Sequence, residues 1–233
     1  MVQSNARISM ALSYTTVAKK TIRGRPPAAM IAAMSADAAP LVAITPESHG
    51  VDLAIAYATA DNFTGRPVYA RPGCYLNPEA AACLLRAADL ARPLGLRLRI
   101  FDAFRPAEAQ WVLWHHTPDP EFLADPRRGS PHSMGAAVDL TLIDATGVAL
   151  DMGTAFDAFT PRSHHGAADI APAAMRNRAL LLGLMTAAGW DFYRAEWWHY
   201  QLFAPRRRYP VLSDTVLPQP MMPPGTRLAA LAS

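Results

Sequence analysis

Cysteine is nearly absent. Cys74 and Cys83 are the only two among 233 residues, too few for a disulfide framework and too few for a cysteine-based zinc site. No apolar run approaches the roughly 20 residues a membrane helix needs, which excludes a helical membrane-spanning protein. Internal repeats and a glycine-rich phosphate loop are missing too. Nor is there much excess charge. The 22 basic and 19 acidic residues leave +3, and the surplus sits at Lys19, Lys20, Arg23, Arg25 and Arg206 to Arg208. That is not a basic stripe interleaved with aromatics, so nucleic acid is not expected as a partner. Arg206 to Arg208 read most simply as a solvated turn.

What is there suits one globular domain. With 51% hydrophobic residues over this length, the chain can bury a sizeable core. Its two ends differ from the middle. Residues 1–46 mix basic and small residues with no sustained period and read as an N-terminal extension. Met30, Ile31 and the flanking alanines are a poor match to an export signal. The cytoplasm is therefore the expected location, and the periplasm the alternative if the extension carries such a signal. Residues 217–233 are rich in proline and small residues and read as a tail. The folded domain is expected over 47–216.

Within that domain helices and strands follow in irregular order. Asn77-Pro78-Glu79 starts a helix with a capping side chain, a proline preset for the first turn and an acid at the positive dipole end. Gly95 can end that element. Leu96, Leu98 and Ile100 alternate with Arg97 and Arg99, the period of a strand, and Pro106 can open the next helix. Val138, Leu140 and Leu142 share one face of another strand while Asp139 and Thr141 share the other. A helix is expected from about 173 to 188, ending at Gly189, and then an aromatic-rich strand over 190–203. This order favours an α+β single domain over a doubly wound sheet.

The residues with chemistry to offer cluster in two places. Ser130-Pro-His132-Ser-Met-Gly135-Ala-Ala-Val-Asp139 puts a histidine just before a strand and an aspartate within it. A buried aspartate is costly unless paired or bound to metal. Gly135 lets the backbone turn between them. Glu196-Trp-Trp-His199 enters a later strand. His132, Asp139 and His199 form a three-ligand set suited to zinc with a fourth position left for water. Taken singly, a histidine of this kind is more often a surface or hydrogen-bonded residue, and it is the conjunction of ligand types, strand placement and a free carboxylate that raises the metal reading. Glu196 and His199 can serve one site only if the chain bends near Trp197, because residues three apart on a straight strand point to opposite faces.

The Ser-x-His-x-x-Gly-x-Ala-x-Asp and Glu-x-x-His pattern resembles the zinc D-alanyl-D-alanine dipeptidases of the vancomycin-resistance type. Four further segments resemble that family in the same order: Tyr57 to Gly65, Asp102 to Pro106, Met152 to Asp157 and Arg162 to His165. The resemblance spans roughly 51–210. It implies an α+β fold with a central antiparallel sheet flanked by helices, and one zinc ion per chain on His132, Asp139 and His199. It further implies Glu196 as general base and Arg105 as the arginine that stabilises the transition state. Tyr57, Ser130 and Asp157 match the positions that hold the substrate's free amino end. The expected activity is hydrolysis of D-alanyl-D-alanine, in cell-wall peptide metabolism or glycopeptide resistance. The alternatives are a D,D- or L,D-carboxypeptidase acting on longer muropeptides, or a non-catalytic, zinc-stabilised binding module.

Overall fold

The computed structural model describes residues 41–232. A five-stranded sheet forms its centre. The strands are β2 (Asp52–Leu53), β4 (Arg97–Asp102), β5 (Ala137–Ile143), β6 (Asp191–Phe192) and β7 (His199–Gln201), in the order β2-β4-β5-β7-β6. Only the β2–β4 pair is parallel. A small antiparallel pair, β1 (Val42–Ala43) with β3 (Tyr75–Leu76), lies outside it. The fold is α+β with a mostly antiparallel sheet, as the sequence implied.

Local chemistry sets the helix ends. After the short helix α1 (Pro46–His49), α2 runs Pro78–Ala91, and the Asn77 side chain accepts from the Ala80 amide at 2.9 Å. A 3-10 turn then carries the chain to Gly95, whose φ of 70° closes the element. α3 (Ala107–His116) follows Pro106, and α4 (Pro172–Ala187) packs against α2. Every residue of β5 is buried. Val138, Leu140 and Leu142 join the apolar core, while Asp139 and Thr141 on the opposite face are covered by other parts of the chain.

Two regions differ from the sequence expectation. The single strand expected over 190–203 is a hairpin, with β6 paired to β7 through Asp191↔Gln201 and Phe192↔Tyr200. The intervening residues turn back on themselves: the Glu196 amide bonds the Tyr193 carbonyl at 3.2 Å and the His199 amide the Glu196 carbonyl at 3.4 Å. Local hydrogen bonds replace ladder bonds there. The residues after Leu217 also pack on the body. Met221 is fully buried, and the Asp214 carboxylate accepts from the Met221 and Met222 amides at 2.8 and 3.0 Å. The expected N-terminal extension lies outside the described residues up to Pro40. Among the described residues no helix is long and apolar enough to cross a membrane.

Candidate metal centre and active site

The sheet register brings the acidic and imidazole groups together. Asp102 on β4 faces Asp139 on β5, and Asp139 faces His199 on β7, so three neighbouring strands present them side by side. His132 joins from the 3-10 turn His132–Met134. That turn ends at Gly135, whose φ is 61°, a region where an L side chain is strained. A Cβ there would lie 3.0 Å from the Asn77 backbone nitrogen and 2.5 Å from Leu41 Cδ2.

Three ligand atoms converge. His132 Nε2 lies 3.0 Å from His199 Nδ1, His199 Nδ1 lies 3.0 Å from Asp139 Oδ1, and Asp139 Oδ1 lies 3.3 Å from His132 Nε2. The far side of each imidazole decides which atom carries the proton. His132 Nδ1 lies 2.7 Å from the Ala103 carbonyl, which has no proton to give, so Nδ1 is the donor and Nε2 offers a lone pair. His199 Nε2 donates to Gln201 Oε1 at 3.3 Å, leaving the Nδ1 lone pair toward the group. Two nitrogen lone pairs and a carboxylate oxygen thus meet with no proton between them, an arrangement a cation stabilises. A tetrahedral metal with bonds of about 2.0–2.1 Å sets its ligands roughly 3.3 Å apart, close to the spacing here. These three residues can hold a metal ion.

A buried polar network braces the group. Arg105, 5% exposed, donates from Nε to Asp102 Oδ2 at 2.8 Å, from Nη1 to Gln110 Oε1 at 3.2 Å and from Nη2 to Asp139 Oδ2 at 3.3 Å. Its guanidinium lies 4.9 Å from the Tyr57 ring centroid. Asp102 also accepts from Tyr69 Oη at 3.0 Å. Burial raises the Asp139 pKa, but His132 and His199, where protonated and donating to it, outweigh that and hold it well below the usual carboxylate range. Asp102, Gln110 and Gln201 were not singled out as site residues from the sequence. Asp102 alone had a signal there, an acid at the end of a strand whose apolar residues alternate with arginines.

Tyr57, Arg105, Ser130, His132, Asp139, Asp157, Glu196 and His199 all line one cavity of about 260 Å³. Glu196 stands on the turn before β7, its Oε2 3.8 Å from His199 Nδ1, and the chain turns at Trp197 and Trp198. Burial, and then the charges of Asp139 and Asp157, push its carboxyl well above the usual range. The Asp157 backbone is left-handed, with φ 57°, a conformation aspartate tolerates better than most residues. Its Oδ1 accepts from Tyr57 Oη at 3.2 Å, while Oδ2 is buried with no partner. Burial foremost, with the charges of Asp139 and Asp102, raises its pKa to about 8 against the opposing pull of Arg105 and the Tyr57 hydrogen bond. Ser130 is buried, and its Oγ accepts from the His132 amide at 3.3 Å.

The sequence that builds this site has counterparts among known proteins. Residues 37–214 match the family described as D-ala-D-ala dipeptidase. The chain belongs to that family. It is 43% identical over 164 residues to a D-alanyl-D-alanine dipeptidase of Escherichia coli K12, covering 70% of this chain and 84% of that protein. A D-alanyl-D-alanine dipeptidase of Enterococcus faecalis is 36% identical over 175 residues, covering 66% and 87%. One from Streptomyces coelicolor is 36% identical over 167 residues, covering 63% and 83%. Members of this family are metallopeptidases, and the chain is an enzyme of that kind.

Proposed function

We propose that the protein hydrolyses D-alanyl-D-alanine to two molecules of D-alanine, with zinc held by His132, Asp139 and His199. The observation that carries this reading is the convergence of three lone-pair donors beside a buried carboxylate, Glu196, that stands outside the ligand triangle. A structural metal site needs no such carboxylate. A zinc ion bound there would polarise the peptide carbonyl and make water a better nucleophile near neutral pH.

The chain's own residues do the rest. Glu196 removes a proton from the attacking water and returns it to the leaving amine. Three of the five N–H donors of Arg105 are committed to Asp102, Gln110 and Asp139. The fixed guanidinium meets the negative charge that builds on the former carbonyl oxygen, and no reorganisation is needed at that moment. Asp157, oriented by Tyr57, pairs with the substrate ammonium and so sets the distance from the amino end to the scissile bond. The unpartnered Oδ2 is the acceptor this pairing uses. Ser130 bounds the substrate chamber next to His132.

The test is to incubate purified, zinc-loaded protein with D-Ala-D-Ala, L-Ala-L-Ala and a pentapeptide ending in D-Ala-D-Ala, and to measure free alanine. Release from the free D,D-dipeptide well above the other two is expected. Preferential release from the pentapeptide would replace this reading with a carboxypeptidase, and no release from any of the three would leave a binding module.

A further inference from the structure

Two cations of the cavity stand apart from the metal group. Arg105 is engaged by Asp102, Gln110 and Asp139, but Arg128 and Arg206 also line the cavity, and neither has a carboxylate partner among the described residues. The nearby acids are engaged elsewhere. Asp125 pairs with Arg127 at 2.7 Å, and Glu121 Oε1 lies 3.4 Å from His164 Nε2. Arg206 Nε donates to the Gly129 carbonyl at 2.9 Å. This bond anchors the guanidinium to the backbone between Arg128 and Ser130, and among the described residues its two Nη groups have no acceptor. Burial and then the positive charge of Arg128 lower the Arg206 pKa, with Tyr193 opposing. Asp125 also feels the charge of Arg128, but its hydrogen bonds go to Arg127; the like charges of Arg128 and Arg206 repel each other, and an anion relieves that repulsion.

We propose that Arg128 and Arg206 form the subsite for the substrate's C-terminal carboxylate. This rests on the dipeptidase reading above and deepens it. A free dipeptide is a zwitterion. Asp157 offers a partner to its ammonium, and the planar forks of the two arginines match a carboxylate. A peptide continuing beyond the second residue would present an uncharged amide there and leave the two cations unpaired. Length is then read from both ends, with Asp157 rejecting N-terminal extension and the arginines rejecting C-terminal extension. The Arg206 to Arg208 segment, which reads from sequence as a solvated turn, thereby contributes one residue to the cavity. Both residues reach solvent, so the attraction is sensitive to salt.

The experiment compares D-Ala-D-Ala with its C-terminal amide in the zinc-loaded enzyme, in the Arg128→Gln, Arg206→Gln double variant and in Arg206→Lys, reading release of free D-alanine and zinc content. The wild type should prefer the acid by about tenfold, the scale of one hydrogen bond to a charged group, and this preference should shrink as ionic strength rises. The double variant should keep its zinc and lose the preference, while Arg206→Lys should retain part of it. The same acid-to-amide ratio in the wild type and the double variant would overturn the arginine assignment and leave the dipeptidase reading standing. Failure of the zinc-loaded wild type to cleave D-Ala-D-Ala at all would overturn both.

Discussion

Asp139 and His199 are direct partners across the β5–β7 ladder, and their side chains meet at 3.0 Å between Oδ1 and Nδ1. Antiparallel pairing thus sets one edge of the ligand triangle, since side chains at paired positions rise from the same face of a sheet. The other carboxylate oxygen of Asp139 is held by Arg105, so the ligand has little freedom to rotate away. A preformed site of this kind lowers the reorganisation that metal binding requires.

The amine anchor leads to a substrate test. Acetylating the amino group removes the charge that holds Asp157 ionised, so the buried carboxyl takes up a proton and the charge-assisted bond is lost. N-acetyl-D-Ala-D-Ala should be cleaved at least ~100-fold less efficiently than the free dipeptide, about 2.7 kcal/mol in transition-state stabilisation. Asp157→Ala should narrow this gap chiefly by impairing the free dipeptide. Equal kcat/KM values for the two substrates in the wild type would remove Asp157 from this role.

Arg178 holds the segment that carries Asp157. From α4 it donates to the carbonyls of Met152 at 2.6 Å and of Arg162 and His164 at 2.9 Å each. Arg178→Met would leave those carbonyls short of donors, so a stability loss of about 2–4 kcal/mol is expected in denaturant unfolding. KM for the free dipeptide should rise more than kcat falls. A variant with unchanged stability and KM would show that the segment holds itself.

The fold around the site was legible where local rules are strong, whereas Tyr57, Arg105 and Asp157 were legible only through the family resemblance. Asn77 and Pro78 mark a helix start by capping chemistry, and the alternation over 137–142 marks β5. His132 and Asp139 lie on either side of a glycine. The braces were not legible. Strand alternation puts Gln201, two positions past His199, on the same face, but nothing in the order of residues says that its amide oxygen meets the ring, or that Ala103 contributes a carbonyl to His132. Those contacts depend on strand register and on backbone groups that every residue type shares. The hairpin was missed for a related reason. Aromatic content over 190–203 signals a strand, but the turn at Glu196 is made by backbone bonds with no glycine or proline to announce it.

Gly135 is a second point of leverage. Gly135→Ala adds a Cβ at positive φ and against the Asn77 backbone. The left-handed conformation alone costs roughly 1–2 kcal/mol, and the close contact adds to it. Thermal unfolding should show a loss of at least ~1 kcal/mol together with weaker metal binding, since the turn that carries His132 must shift. Wild-type stability in this variant would contradict the tight approach of Gly135 to the first residues of the α2 start.

Acid should weaken the fold partly through His165. Burial foremost, then the charges of Arg178 and His199, lowers its pKa from 6.5 to about 4. The unfolded chain therefore binds the proton more readily than the folded one between these values. The stability associated with neutral His165 is full above pH about 6.5 and falls away as pH drops toward about 4. His165→Gln should flatten the stability–pH curve in that window relative to wild type. Parallel curves for the two proteins would show that His165 protonates with equal ease in both states.

The division of labour between ligands and base is tested most directly by Glu196→Gln, with metal content and turnover measured on the same preparation. The account predicts about one zinc per chain, as in the wild type, and turnover lower by at least ~10²-fold, the scale of a positioned acid–base group. Loss of zinc in step with activity would make Glu196 a ligand, and full activity with zinc retained would show that it is not the base.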